Sequence, residues 1–199
     1  MIENLANYLK VKAGIDERQF AEVAGRLRAE SIRKGEFLLQ QGGVCSSIFF
    51  VSNGLLRSYL LDEAGKEHII QFAPENWLIT DRASLFFNTG SELYIDAIED
   101  SQIVFLDRQV IDRLSDLSPD FRRFNGISLN KHIRSLQHRI GMLLGYNAEA
   151  RYLDFIETYP QIPLRVPQWM IASYLGITPE SLSRVRKELA VKNFRPPGA

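Results

Sequence analysis

The chain has 199 residues, of which 45% are hydrophobic and 24% charged, with one cysteine and a formal net charge of zero. That length can bury a real core in one large or two small domains. No apolar run approaches the ~20 residues of a membrane span, and the stretch from Met1 to Gly14 lacks the pattern of a secretory signal. Cys45 alone excludes an internal disulfide framework and suits a reducing compartment, so the expected location is cytoplasmic, away from membranes. The zero charge hides an asymmetry. Residues 1–118 hold 12 Lys/Arg against 18 Asp/Glu, a net −6, and residues 119–199 hold 12 against 6, a net +6. A basic second half points to a polyanion there, although charge alone favours ordinary surface variation.

In chain order, residues 3–28 read as helical: Leu5, Tyr8 and Leu9, then Phe20, Val23, Ala24 and Leu27, recur at helical spacing. From Ser31 the period changes. Phe37–Leu39, Ile48–Val51, Leu55–Leu61, His68–Phe72, Leu93–Ala97 and Ile103–Leu106 are short β-prone runs, punctuated by Gly35, Gly42-Gly43, Asn53-Gly54 and Asp62–Gly65. Such spacing implies a compact antiparallel sandwich or barrel.

Helix returns near Arg108 and dominates to the end. After Pro119, Leu129, Ile133, Leu136, Ile140 and Leu143 are spaced 4, 3, 4, 3, which is an a/d stripe. A helix packed on its own domain would show a similar stripe. Its narrowness and its place between two domains favour a partner helix and hence a homodimer. Asn147 is a good cap for a following helix, Ala148–Thr158, and Tyr159–Pro163 is a proline-bounded connection.

The stretch VPQWMIASYLGITPESLSRVRKEL, Val166 to Leu189, carries the strongest local signal. Pro167 suits the first turn of a helix. Ile171 and Leu175 face inward, and Ala172 allows a second helix to cross closely. Gly176 can take the left-handed conformation that ends a helix, and Thr178 caps the next one, with Pro179 and Glu180 in its first turn. Two short helices around such a turn are a helix-turn-helix. On the second helix Leu182, Val185 and Leu189 fall on one side, and Glu180, Ser183, Arg184 and Lys187 on the other. Arg can donate two hydrogen bonds to guanine and Glu can accept one from cytosine, whereas Thr178, Ser181 and the helix amides suit phosphate. Gln168, opening the first helix, completes the candidate DNA-binding set. A helical hairpin with a solvated charged face would share each feature singly, but not the whole set in two dozen residues.

This segment resembles the helix-turn-helix of the Crp/Fnr family of bacterial transcription regulators, through IASYLGITPESLSRVRKEL. Lys34-Gly35-Glu36, Phe49–Gly54 and Asp62–Glu67 are similar to the early strands and hairpin of that family's cyclic-nucleotide-binding β-roll. The resemblance implies an α+β fold: a β-roll with flanking helices over 1–118, a dimerisation helix over 119–145 and a DNA-binding domain over 146–199 with a short or absent wing. It also implies base reading by Glu180 and Arg184 and phosphate contact by Thr178 and Ser181. The implied partners are a second copy, a two-fold symmetric double-stranded DNA site with half-sites about 34–36 Å apart, RNA polymerase, and an unidentified small-molecule effector.

The sequence departs from relatives that bind cyclic AMP. Their Gly-Glu is missing from Trp77–Leu93, and their Arg-Ser pair falls at Ser91-Glu92, where a carboxylate would repel a phosphate. Cyclic nucleotide binding is therefore not expected, and Arg82 reads as a surface arginine. Cys45 is too few for an iron–sulfur cluster. His68 stands by itself in a β-run, and His132 and His138 lie on the long helix, so neither haem nor a cupin-like metal centre is expected. No cofactor and no catalytic constellation follow. The alternative function is a small-molecule-sensing or protein-interaction module whose helical tail docks a partner other than DNA. The tail after Leu189, with Pro196-Pro197, argues against a paired wing strand, while Lys192 and Arg195 there suit phosphate contact.

Overall fold

Gly14 and Asp16 break the amino-terminal helical segment in two. Gly14 takes a φ of 66° and ends α1 (Ile2–Ala13). Asp16 then opens α2 (Glu17–Ala24) with a reciprocal capping box, its Oδ1 accepting from the Gln19 amide at 2.8 Å while Gln19 Oε1 accepts from the Asp16 amide at 3.0 Å. The computed structural model describes residues 1–192. These fall into two compact units, residues 1–60 with 70–130, and residues 61–69 with the chain from 131 onward.

The first unit is built on eight strands: β1 (Arg28–Ile32), β2 (Phe37–Leu39), β3 (Ser47–Asn53), β4 (Leu56–Leu61), β5 (Glu67–Ala73), β6 (Leu78–Ile79), β7 (Tyr94–Ala97) and β8 (Ser101–Asp107), the last residues of β4 and first of β5 belonging to the second unit. They form two four-stranded sheets, ordered β1-β8-β3-β6 and β2-β7-β4-β5. The pairs with assigned registers are antiparallel, including Phe49 opposite Phe105 and Leu56 opposite Ala97. Phe50, Val51, Ile79 and Ile103 from the first sheet and Leu39, Leu56, Ile95 and Ala97 from the second share one buried core. Full burial of such a side chain stabilises the fold by about 1.5–3 kcal/mol. This is the antiparallel β-roll expected from the sequence, with two strands added. β1 begins inside the segment read as helix, because only Ile32 of its five residues is buried and the pattern gives no clear alternation. β6 has two residues, too few for a period.

Gly54 makes the turn between β3 and β4 at a φ of 96°, and a Cβ there would approach Ser101 Cα to 2.7 Å. Only glycine fits so close a crossing. Arg57 and Asp96 are directly opposed across β4 and β7 and form a buried bidentate pair, Nε–Oδ1 2.7 Å and Nη2–Oδ2 2.9 Å. Their opposite charges and fork geometry satisfy groups that would be costly to bury singly. After β8, Asp107 caps α4 (Arg108–Leu117) by accepting from the Val110 amide at 2.8 Å. α5 (Pro119–Gly145) follows, and the boundary between the units falls within it, at Asn130/Lys131.

The second unit contains the rest of α5, α6 (Ala148–Thr158), a short 3-10 turn (Ile162–Leu164), α7 (Gln168–Leu175) and α8 (Pro179–Val191). Asn147 caps α6 as expected, accepting from the Ala150 amide at 2.9 Å. Phe155, Tyr159 and Tyr174 form an aromatic cluster with centroids 5.2–5.7 Å apart. Ile171, Leu175, Leu182 and Leu189 add the buried aliphatic side chains.

Candidate nucleic-acid interface

The helix-turn-helix forms from local rules. Pro167 lies one place earlier than expected: it is the residue before α7, at φ −60° and ψ 147°, and the helix starts at Gln168. The missing amide and extended ψ suit a flanking position as well as a first turn. Gly176 ends α7 at φ 65°, and the Ile177 amide returns to Ala172 O at 3.0 Å, a six-to-one closure that satisfies a carbonyl of the last turn. Thr178, extended at φ −84° and ψ 156°, opens α8 by accepting from the Ser181 amide at 3.2 Å. Pro179 fills the first helical position, where its missing N–H costs nothing.

α8 separates its faces. Leu182, Val185 and Leu189 are buried, whereas Glu180, Ser183, Arg184 and Lys187 are exposed. Thr178, Glu180, Ser181 and Arg184 come together on the first turns. Thr178 Oγ1 lies 3.3 Å from Ser181 Oγ, which accepts from Arg184 Nη2 at 3.3 Å. The Glu180 carboxyl is held below the usual carboxylate range by its own backbone amide, with further contributions from the Thr178 hydroxyl and the Arg184 charge. The helix N-terminus thus keeps a charged acceptor beside a guanidinium donor. Gln168 is exposed on the other helix, α7.

Two arginines that the sequence pattern did not single out brace this module. Arg139 of α5 donates from Nη2 to Tyr174 O at 3.0 Å, and Arg151 of α6 donates from Nη1 to Leu175 O at 3.0 Å. Both carbonyls end α7, where a helix lacks internal donors and its dipole favours cations. The Arg139 guanidinium also stacks 3.9 Å from the Tyr174 ring centroid. Within the same unit, Arg139 Nη2 donates to Ile69 O at 2.7 Å, and the Ser173 hydroxyl accepts from the Ile69 amide at 3.0 Å and donates to Glu67 O at 2.8 Å. No local signal announces these contacts, which join residues 24 to 106 positions apart.

The α5 stripe is solvent-facing in the single chain: Leu129, Ile133, Leu136, Ile140 and Leu143 are 37–56% exposed. In the first unit, Ser91 is 3% exposed and its Oγ donates to Asp81 Oδ2 at 2.7 Å. Asp81 Oδ1 accepts from the Ser84 amide and caps α3 (Arg82–Phe87). Ser84 Oγ in turn accepts from the Cys45 amide at 2.8 Å and donates to Thr89 O at 2.6 Å. Arg82 is half-buried rather than a plain surface residue, with its guanidinium 5.0 Å from the Phe86 ring centroid. His68 and His138 each meet a single aspartate, Asp62 at 2.8 Å and Asp154 at 2.7 Å. No group of three or more His, Cys, Asp or Glu residues suited to a metal ion occurs among the described residues. Among them, too, no helix is long and apolar enough to cross a membrane. The tail positions Arg195 and Pro196-Pro197 lie outside the described residues; Lys192 lies within them and contacts Glu149 at 3.1 Å.

Comparison with known proteins fits this architecture. Residues 29–117 match the cyclic nucleotide-binding domain family. The Anaerobic regulatory protein of Aggregatibacter actinomycetemcomitans is 27% identical over 169 residues, covering 79% of this chain and 65% of that relative. The match therefore spans less than two thirds of that relative's length. The solved structure of FixK2 from Bradyrhizobium japonicum superposes with a TM-score of 0.74 at 20% identity, covering 87% of this chain and 89% of that one. A putative Crp/Fnr-family transcriptional regulator from Eubacterium rectale gives a TM-score of 0.69 at 17% identity, with 94% and 88% covered. The family match covers the β-roll, and the likeness to the solved structures extends over the long helix and the helix-turn-helix as well. One of these structures is described as a Crp/Fnr-family regulator, and at 17–20% identity the likeness to them is one of fold.

Proposed function

We propose that this chain is a sequence-specific, double-stranded-DNA-binding transcription regulator that works as a homodimer in the cytoplasm and catalyses no reaction. The observation that carries this reading is α8: an exposed row of Glu180, Ser183, Arg184 and Lys187, backed by buried Leu182, Val185 and Leu189 on a properly capped helix. Such a row offers donors and acceptors to base edges in a major groove, while Thr178 and Gln168 are the proposed phosphate-side contacts and Ser181 completes the DNA-binding set. Residues 1–118 would form the effector-type domain, 119–145 the dimerisation helix and 146–199 the DNA-binding domain. Dimerisation is supported by the exposed stripe on α5, which costs free energy in water unless covered. RNA polymerase is the proposed further partner.

The β-roll is proposed not to bind cyclic nucleotide. Ser91 and Glu92 stand where the resemblance puts the phosphate-holding Arg-Ser pair of cyclic-AMP-binding relatives, and here Ser91 hydrogen-bonds Asp81. The Asp81 carboxylate and the neighbouring Glu92 would repel an anion. An effector of another class remains part of the proposal. Genomic DNA fragments captured on the purified chain and then sequenced test the reading. Recovery of a two-fold symmetric motif is the expected result. Capture without any motif overturns it in favour of a module that docks a protein.

A further inference from the structure

The first turns of α8 contain a short relay of side chains. The Thr178 hydroxyl donates to Ser181 Oγ at 3.3 Å, and Ser181 Oγ also accepts from Arg184 Nη2 at 3.3 Å. Ser181 is half-buried, and its oxygen is engaged along the helix by the residue three before it and the residue three after it. Positions three apart are neighbours on one helix face, so Ser181 lies directly under the Arg184 side chain. Arg184 is exposed on a long, rotatable stem. An untethered arginine must give up that freedom when it docks on a base, and a side chain already held in place gives up less.

From this arrangement we infer that Ser181 is a positioning residue for Arg184: its hydroxyl sets the arginine's direction before DNA arrives, and it serves base discrimination rather than phosphate affinity. The inference rests on the DNA-binding reading above. It departs from the phosphate contact that the family resemblance implies for Ser181. Phosphate contact and arginine positioning have different signatures. Loss of a phosphate contact weakens binding to every sequence and lowers the salt slope by roughly 0.9 per contact. Loss of positioning weakens only the specific complex.

The test measures binding of the full chain to a duplex recovered by the genomic capture and to a scrambled duplex, across a salt series. The proteins compared are wild type, S181A, S181T, R184A and the S181A/R184A double variant. S181A is expected to weaken specific binding roughly 5–10-fold, within the usual range for coupled neighbours, while scrambled-duplex affinity and salt slope keep their wild-type values. S181T, which keeps the hydroxyl, should restore discrimination, and S181A should cost nothing further in the R184A background. Equal weakening on both duplexes with a smaller salt slope overturns the inference, as does an undiminished S181A effect without Arg184.

A second measurement needs no DNA. Nuclear spin relaxation of the Arg184 Nε–H in the free protein should show a restrained guanidinium in wild type and a mobile one in S181A. Equal mobility in the two overturns the positioning role even if specific DNA binding is real. If wild type fails to discriminate between duplexes but Arg184 is restrained through Ser181, the regulator reading fails and the positioning stands.

Discussion

Asp81, Ser84 and Ser91 of the β-roll unit turn inward and bond to one another and to nearby main chain, whereas Thr178, Glu180, Ser181 and Arg184 of the helical unit gather at an accessible helix end. Both sets are small, polar and linked by hydrogen bonds, of 2.6–3.1 Å in the inward set and a longer 3.3 Å between the outward side chains. The difference lies in what surrounds them. The inward set ties α3 and the segment before β7 to residues near β3, so its hydrogen-bonding capacity is used in holding the fold. The outward set is backed by buried Leu182, Val185 and Leu189, and its remaining donors and acceptors face water. Two polar clusters of similar make-up thus differ in what they leave available, and the direction of their hydrogen bonds makes the difference.

Four perturbations would break or sharpen that contrast. The largest effect is expected from Leu136→Glu, which places a charge in the middle of the α5 stripe: the mass in solution, measured by light scattering, should halve. A variant that stays fully dimeric excludes this stripe as the main interface. Next comes Arg184→Ala, which removes a bidentate donor from the outward set and should cost about 1–3 kcal/mol of discrimination between specific and random duplex at fixed salt. Unchanged discrimination would sink the assigned recognition face. On the inward set, Ser91→Ala deprives Asp81 of a buried partner and should lower stability by about 1–3 kcal/mol, read from chemical denaturation. Stability equal to wild type would mean that the Asp81–Ser91 bond holds nothing together. The smallest expected effect is zero: cyclic AMP, titrated to millimolar concentration, should leave the melting temperature unmoved. A shift that grows with ligand concentration would mean that the inward set opens to admit a phosphate.

The same contrast explains what could be read from the sequence. The helix-turn-helix was legible because its determinants are local. Gly176, Thr178 and Pro179 each perform a backbone task within a few residues, and the apolar spacing of α8 follows from helical geometry. The outline of the β-roll was legible from its short apolar runs and glycine turns. β1 was hidden because most of its side chains stay partly in water, and β6 because two residues carry no period. The Arg57–Asp96 pair depends on the register of β4 against β7, which pattern alone does not supply. Arg139, Arg151 and Ser173 were hidden for a related reason: each acts on main-chain atoms distant in sequence, so no residue type at the far end advertises the contact.

That last feature has an evolutionary corollary. The grip of Ser173 and Arg139 on residues 67–69 is made to main-chain amide and carbonyl groups, which every residue but proline supplies in full. At this junction the identities of residues 67 and 69 can drift without loss of these main-chain bonds. The count of residues between β4 and β5 cannot, since one inserted residue would carry the Ile69 amide and carbonyl out of register with both partners. The junction therefore constrains the length of the hairpin more tightly than its lettering, and constraint of this kind shows in insertions and deletions rather than in substitutions.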